Sequence, residues 1–125
     1  MRTYLLVLTK IIVPNINPTK QTILLANALR ARGIELETEH WDKHKHVDIF
    51  IPKERIYIEV DGSHHYTDVK TIISDFNRDF FSFRENFLTK HITNEAIDNH
   101  LEEIADAIAE IIKNAPNKIG NNLKS

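Results

Sequence analysis

The sequence predicts an α/β domain: a mixed central sheet flanked by helices, in the order helix, three strands, helix, strand, helix. Three observations predict it. Two strand-like runs, 47–51 and 55–60, are split by Pro52-Lys53-Glu54 and read as a hairpin. Three other stretches keep the three-and-four apolar spacing of helices that face a core, and short β-branched runs stand between them. The length of 125 residues suits a single domain, 1–125, with a core over about 18–113 and a polar tail over 114–125. Two-layer and three-layer arrangements both accommodate this order.

Taken in sequence, residues 3–13 are aliphatic and β-branched and fit either a strand or a buried helical turn, closed by Pro14 and Pro18. Thr19 is placed to cap a helix over 20–32, with Ile23, Leu24, Leu25, Ala28 and Leu29 on its apolar stripe and Gly33 ending it. Residues 34–41 alternate. Ile34, Leu36, Thr38 and His40 share one face, while Glu35, Glu37, Glu39 and Trp41 share the other, which reads as the solvated side of an edge strand. A turn through Asp42 and Lys45 then leads into the hairpin. His40, His44 and His46 lack a matching second group and read as solvent-exposed rather than as a metal cluster.

Beyond the hairpin, Thr67 is placed to cap a helix over 68–85 whose stripe is Val69, Ile72, Ile73, Phe76, Phe80 and Phe83. Asn86 suits a left-handed cap, and 87–93 a short strand. Asn94 would cap the last helix. There Ile97, Leu101, Ile104, Ala105, Ile108, Ile111 and Ile112 form a stripe, most simply core, with a dimer face as the other use.

Composition narrows the function. There is no cysteine, so disulfides and thiolate zinc sites are excluded and a cytoplasmic setting is expected. The N-terminal apolar run is interrupted by Lys10 and too short to span a bilayer, so no membrane role is expected. A net charge of −2 does not advertise a polyanion binder; any such partner must be met locally, by Arg30 and Arg32 or by the run Lys43-His44-Lys45-His46.

The acids carry the chemistry. Along the strand over 55–60, Tyr57, Glu59 and Asp61 share a face with Arg55, while Ile56, Ile58 and Val60 share the opposite one. A turn at Pro52-Lys53-Glu54 sets Asp48 across from the Glu59 end. Like charges brought together are costly unless a cation neutralises them, so Asp48, Glu59 and Asp61 converging at Gly62 suggest a hard-metal site. Ser63, His64 and His65 follow directly, and a histidine there is suited to proton transfer.

Ile58-Glu59-Val60-Asp61-Gly62-Ser63-His64-His65, followed by Asp75-x-x-Arg78-Asp79, resembles the PD-(D/E)XK nuclease superfamily. Within it the pattern looks like the small endonuclease-like domains related to very-short-patch repair endonucleases, and the likeness covers 18–113. The resemblance implies a restriction-endonuclease-like core and a magnesium-dependent DNA endonuclease. Asp48, Glu59 and Asp61, with the Val60 carbonyl, would hold one or two Mg²⁺ ions, for which Mn²⁺ can substitute. His65 would handle the proton, Arg78 would contact the scissile phosphate, and Lys45 or Lys53 the flanking backbone. DNA is the implied partner, with a homodimer needed for simultaneous double-strand cutting and no small-molecule cofactor.

Two departures from the pattern stand out. The first helix starts Lys20-Gln21-Thr22, where relatives often carry a Glu, and His91 stands where they often have arginine. An inactive nucleic-acid-binding module of the same fold, or an interaction domain dimerising through the last helix, are the alternatives.

Overall fold

In the computed structural model of the protein, residues 18–62 and 68–114 are described. The elements run α1 (Lys20–Ala31), β1 (Glu37–Trp41), β2 (His46–Ile51), β3 (Ile56–Asp61), α2 (Val69–Ser82), β4 (Leu88–Thr93) and α3 (Asn94–Lys113). The predicted order is therefore the observed one. The run over 3–13, the cap at Thr67, His65 and the tail from residue 115 lie outside the described residues.

Local signals set most of the element ends. Thr19 caps α1 by accepting the Thr22 N–H at 3.2 Å. Gly33, at φ +85°, closes it: its N–H donates to the Arg30 carbonyl and that of Ile34 to the Leu29 carbonyl, a paired arrangement that a left-handed residue makes possible. Three ends differ from expectation. α2 stops at Ser82, where Phe83 turns to extended backbone; Phe83 stays buried, so the apolar stripe continues although the helix does not. Asn86 is not left-handed; among the described non-glycine residues positive φ occurs at Glu39, Lys43 and Arg55. Thr93, one residue before Asn94, caps α3 by accepting the Ala96 N–H at 3.1 Å.

The sheet has the order β1-β2-β3-β4, with β1, β2 and β3 antiparallel in turn and β4 parallel to β3. The parallel step follows from α2, which carries the chain back to the starting edge of the sheet. Strict alternation divides β2 and β3. Val47, Ile49 and Ile51 with Ile56, Ile58 and Val60 are buried, while Asp48, Phe50, Tyr57, Glu59 and Asp61 are partly exposed.

The buried side of the sheet joins Leu25 and Leu29 of α1, Phe76 and Phe80 of α2, and Ile97, Ile104 and Ile108 of α3 in one core. Lys90, which shares the inner face of β4 with Leu88 and Ile92, reaches Asp79 of α2 at 2.5 Å, so α2 lies on that side too. Among the described residues the arrangement is two-layered, with the three helices on one face. The stripe of α3 is spent on this core, which leaves the interaction-domain alternative without its surface; Arg32 ties α1 to the outer side of α3 through Glu102 and Asp106.

Candidate active site

Register brings the acids together on the other face. The β2–β3 ladder pairs Ile51 with Ile56 and Ile49 with Ile58, and the next step sets Asp48 against Glu59. On the β1 side, Thr38 pairs with Ile49 and His40 with Val47, so Glu39 between them stands opposite Asp48. On the β4 side, Glu59 pairs with His91. Glu39, Asp48, Glu59 and His91 thus form a transverse row, one residue from each strand.

Asp48 occupies a structural place in this row as well. Its Oδ2 accepts the Val60 N–H at 2.7 Å, which fixes the carboxylate against β3. Partial burial raises its pKa above the ordinary range, the Val60 N–H works against that rise, and the neighbouring Glu59 adds to it. Glu59 is enclosed too, with 16% of its side chain exposed. Lys45 Nζ stands 3.2 Å from Glu59 Oε1, and among the described residues this buried oxygen has that neighbouring charge and no hydrogen-bond partner. Glu39 shows the effect most: burial first, then the charges of Asp48 and Glu59, push its carboxyl up to about 7.

Each expected site residue other than His65 lies within the described residues and has a definite position. Asp48 and Glu59 meet, and Lys45 joins them from the β1–β2 turn. Asp61, two residues further along the same face of β3, has His91 Nδ1 3.6 Å from its Oδ2. Among the described residues no three acidic or histidine side chains are arranged to hold a metal ion between them. The Val60 carbonyl lies in β3 between the two acids of that strand. Lys53 is in the β2–β3 turn, at the far end of the sheet from the row. Arg55, read as the first residue of the acid-bearing face, lies instead in that turn at φ +61°, with its guanidinium over the Phe83 ring. Arg78 belongs to α2, on the inner side of the sheet, and pairs with Asp75 at 3.1 Å and Asp79 at 3.3 Å. Asp79 is in turn held below the usual carboxylate range by Lys90 first and by Arg78 second.

Two members of the row were not singled out as site residues from the sequence. Glu39 was assigned to a solvated face. Its φ of +52° breaks the alternation of β1, so that Glu37 and His40, three residues apart, bond to each other at 2.6 Å. The signal that finds Glu39 is the turn through Asp42 and Lys45, because it fixes the register that carries Glu39 to Asp48. His91 was noted only as a departure from a pattern. No sequence signal fixes the register of a parallel strand reached through a helix.

The start of α1 supplies no acid to the row: Gln21 donates to Asp98 of α3 at 3.2 Å, and Thr22 is buried beneath Thr19. No helix among the described residues is long and apolar enough to cross a membrane.

No protein-family model matches the chain, and no curated protein matches it. Among solved structures, the catalytic domain of the homing endonuclease I-Bth0305I is similar, at 17% identity and a TM-score of 0.49, covering 74% of this chain and 93% of that one.

Proposed function

We propose that the chain is a divalent-metal-dependent endonuclease that hydrolyses DNA phosphodiester bonds at the Asp48–Glu59 pair. The observation that carries the proposal is that pair: two carboxylates set against each other across adjacent strands, one bearing a buried oxygen with no hydrogen-bond partner among the described residues. Mg²⁺ suits such a place, because it needs only one or two protein carboxylates and fills its other positions with water and substrate phosphate oxygens. Asp48 and Glu59 would hold it, with Asp61 and the Val60 carbonyl at the same end of β3. Bound there, the ion supplies charge neutralisation at phosphate and a lowered pKa for water.

The chain's own groups account for the rest. Lys45 balances part of the Glu59 charge; its side chain is 63% exposed and free to turn toward a flanking phosphate. Glu39 provides the acid that the start of α1 lacks and holds a proton up to about pH 7, so the row gains its full negative charge only above that point. His91, in register with Glu59 and beside Asp61, has an imidazole placed to orient a phosphate oxygen or carry a proton. His65 keeps its proposed role in proton transfer. Arg78 is committed to Asp75 and Asp79, so Lys45 is the cation that the proposal assigns to the substrate.

The test is cleavage of labelled single-stranded, nicked, mismatched and plain duplex DNA with Mg²⁺, Mn²⁺ or EDTA, alongside Glu59→Ala. Metal-dependent cutting that Glu59→Ala removes is the expected result; cutting that survives both EDTA and the substitution overturns the proposal.

A further inference from the structure

The outer face of the sheet carries a second band, parallel to the acid row. His40 of β1, Phe50 of β2, Tyr57 of β3 and Phe87 just before β4 form a continuous line of rings. Their centroids are 4.3 Å apart for His40 and Phe50, 4.9 Å for Phe50 and Tyr57, and 4.8 Å for Tyr57 and Phe87, the last pair stacked at 14°. Phe50 and Tyr57 each lie two residues along their strands from Asp48 and Glu59, which sets the band about 7 Å from the acids. None of these rings belongs to the core, and Phe87 is 42% exposed. Cross-strand aromatic pairing stabilises the sheet, and at Phe87 the band still presents ring surface to solvent.

The neighbouring row says what the band faces. Flat apolar rings lie about 7 Å from a proposed phosphate-cleaving row, on the same face of the sheet. A ligand matching this order carries a phosphate group beside a flat apolar face. The guanidinium groups of Arg55 and Arg84 are taken up at Phe83, a core residue on the helix side, by its ring and its carbonyl respectively.

We infer that this face is a stacking platform for the unpaired bases of a nucleic-acid strand, so that the site acts on single-stranded or locally unpaired substrate. In a duplex the base faces are already stacked on one another and are closed to such a platform, whereas an unpaired strand offers every base face to it. The inference rests on the reading of the acid row as the cleavage site and specifies its substrate.

The experiment is fluorescence anisotropy with the full chain in EDTA, where no metal-dependent cleavage occurs. The probes are a labelled oligothymidine, an abasic oligomer of the same length and charge, and a blunt duplex. The expected order is oligothymidine tightest, with the abasic strand and the duplex each weaker by about tenfold or more. Phe87→Ala and Tyr57→Leu should each weaken oligothymidine by about tenfold and leave the abasic strand unchanged, while Tyr57→Phe retains binding.

Equal affinity for oligothymidine and the abasic strand overturns the inference. So does a Phe87→Ala protein that melts like its parent and binds oligothymidine equally well. A dimer that Phe87→Ala dissociates in sedimentation assigns the face to a second copy and overturns it as well. The two readings separate: cleavage that ignores the rings leaves the nuclease standing without the platform, and ring-dependent binding without cleavage leaves the platform without the nuclease.

Discussion

The two faces of β2 and β3 are built from alternate residues of the same two strands and do opposite things. On the inner face, Ile49, Ile51, Ile56 and Ile58 are fully buried and supply stability through apolar area removed from water. On the outer face, Asp48 and Glu59 are set against each other with too little solvent and too few partners, an arrangement that works against stability. One face is optimised for the fold alone; the other is tolerated because the first is strong. A carboxylate pair can be held in a fixed geometry only where the backbone beneath it has no freedom to relax.

Substitutions at neighbouring positions break the comparison most sharply. Glu59→Ala should lower cleavage by at least about a hundredfold, since the ion it helps to hold supplies several kcal/mol of charge stabilisation. Its urea midpoint should stay level or rise, because one of two opposed charges is gone. Ile58→Ala, one residue earlier, should do the reverse in kind, losing about 2–5 kcal/mol of stability in urea unfolding. A Glu59→Ala protein that unfolds as easily as Ile58→Ala would mean that the two faces are not separable.

Asp48 crosses the division, since its carboxylate belongs to the outer face and its bond to Val60 belongs to the sheet. Asp48→Ala should therefore cost both activity and about 1–3 kcal/mol of stability, whereas Asp48→Asn keeps an acceptor for the Val60 N–H and should cost mainly activity. Chemical denaturation of the two variants side by side checks this.

Glu39 sharpens the comparison through pH. Its folded pKa, about 7, lies above its ordinary value of 4.5, so the proton is held more tightly in the folded state. The associated stability is fully present below the unfolded pKa and is lost as pH rises through the folded one. Melting temperature should thus fall between about pH 5 and about pH 8, and Glu39→Gln should flatten that slope while matching the parent at the acid end. Added Mg²⁺ should raise the melting temperature more at the alkaline end, where it no longer competes with the proton. The smallest effect belongs to Arg78→Ala: an exposed guanidinium paired along its own helix should change stability by less than about 0.5 kcal/mol, and cleavage by no more than a few-fold.

What the sequence revealed follows from how far each signal reaches. Helices α1 and α3 were legible from local stripes and caps. The hairpin was legible from Pro52-Lys53-Glu54, but Arg55 belongs to the turn as well, and this fourth residue sets the register in which Asp48 meets Glu59. Thr93 and Asn94 are adjacent and both good capping residues, so local signals place the cap of α3 only to within one residue, and Thr93 is the one that serves. Glu39 lies on a face that reads as solvated until the turn through Asp42 and Lys45 sets it opposite Asp48. His91 and Phe87 depend on how α2 returns the chain to β3, and the sheet's second face, with its band of rings, exists only once all four strands are in place.

The bond from the Val60 amide to Asp48 gives the protein an internal gauge of its own site. That amide hydrogen is held by a side chain that is also a proposed ligand, instead of by a partner strand, so its exchange with deuterated water follows the state of the carboxylate. Protonating Asp48 weakens the acceptor and should speed exchange, while a cation that pins the carboxylate in place should slow it. The inner-face amides of Ile56 and Ile58 remain an unchanging reference. A single backbone position thereby reports occupancy of the site without a turnover assay.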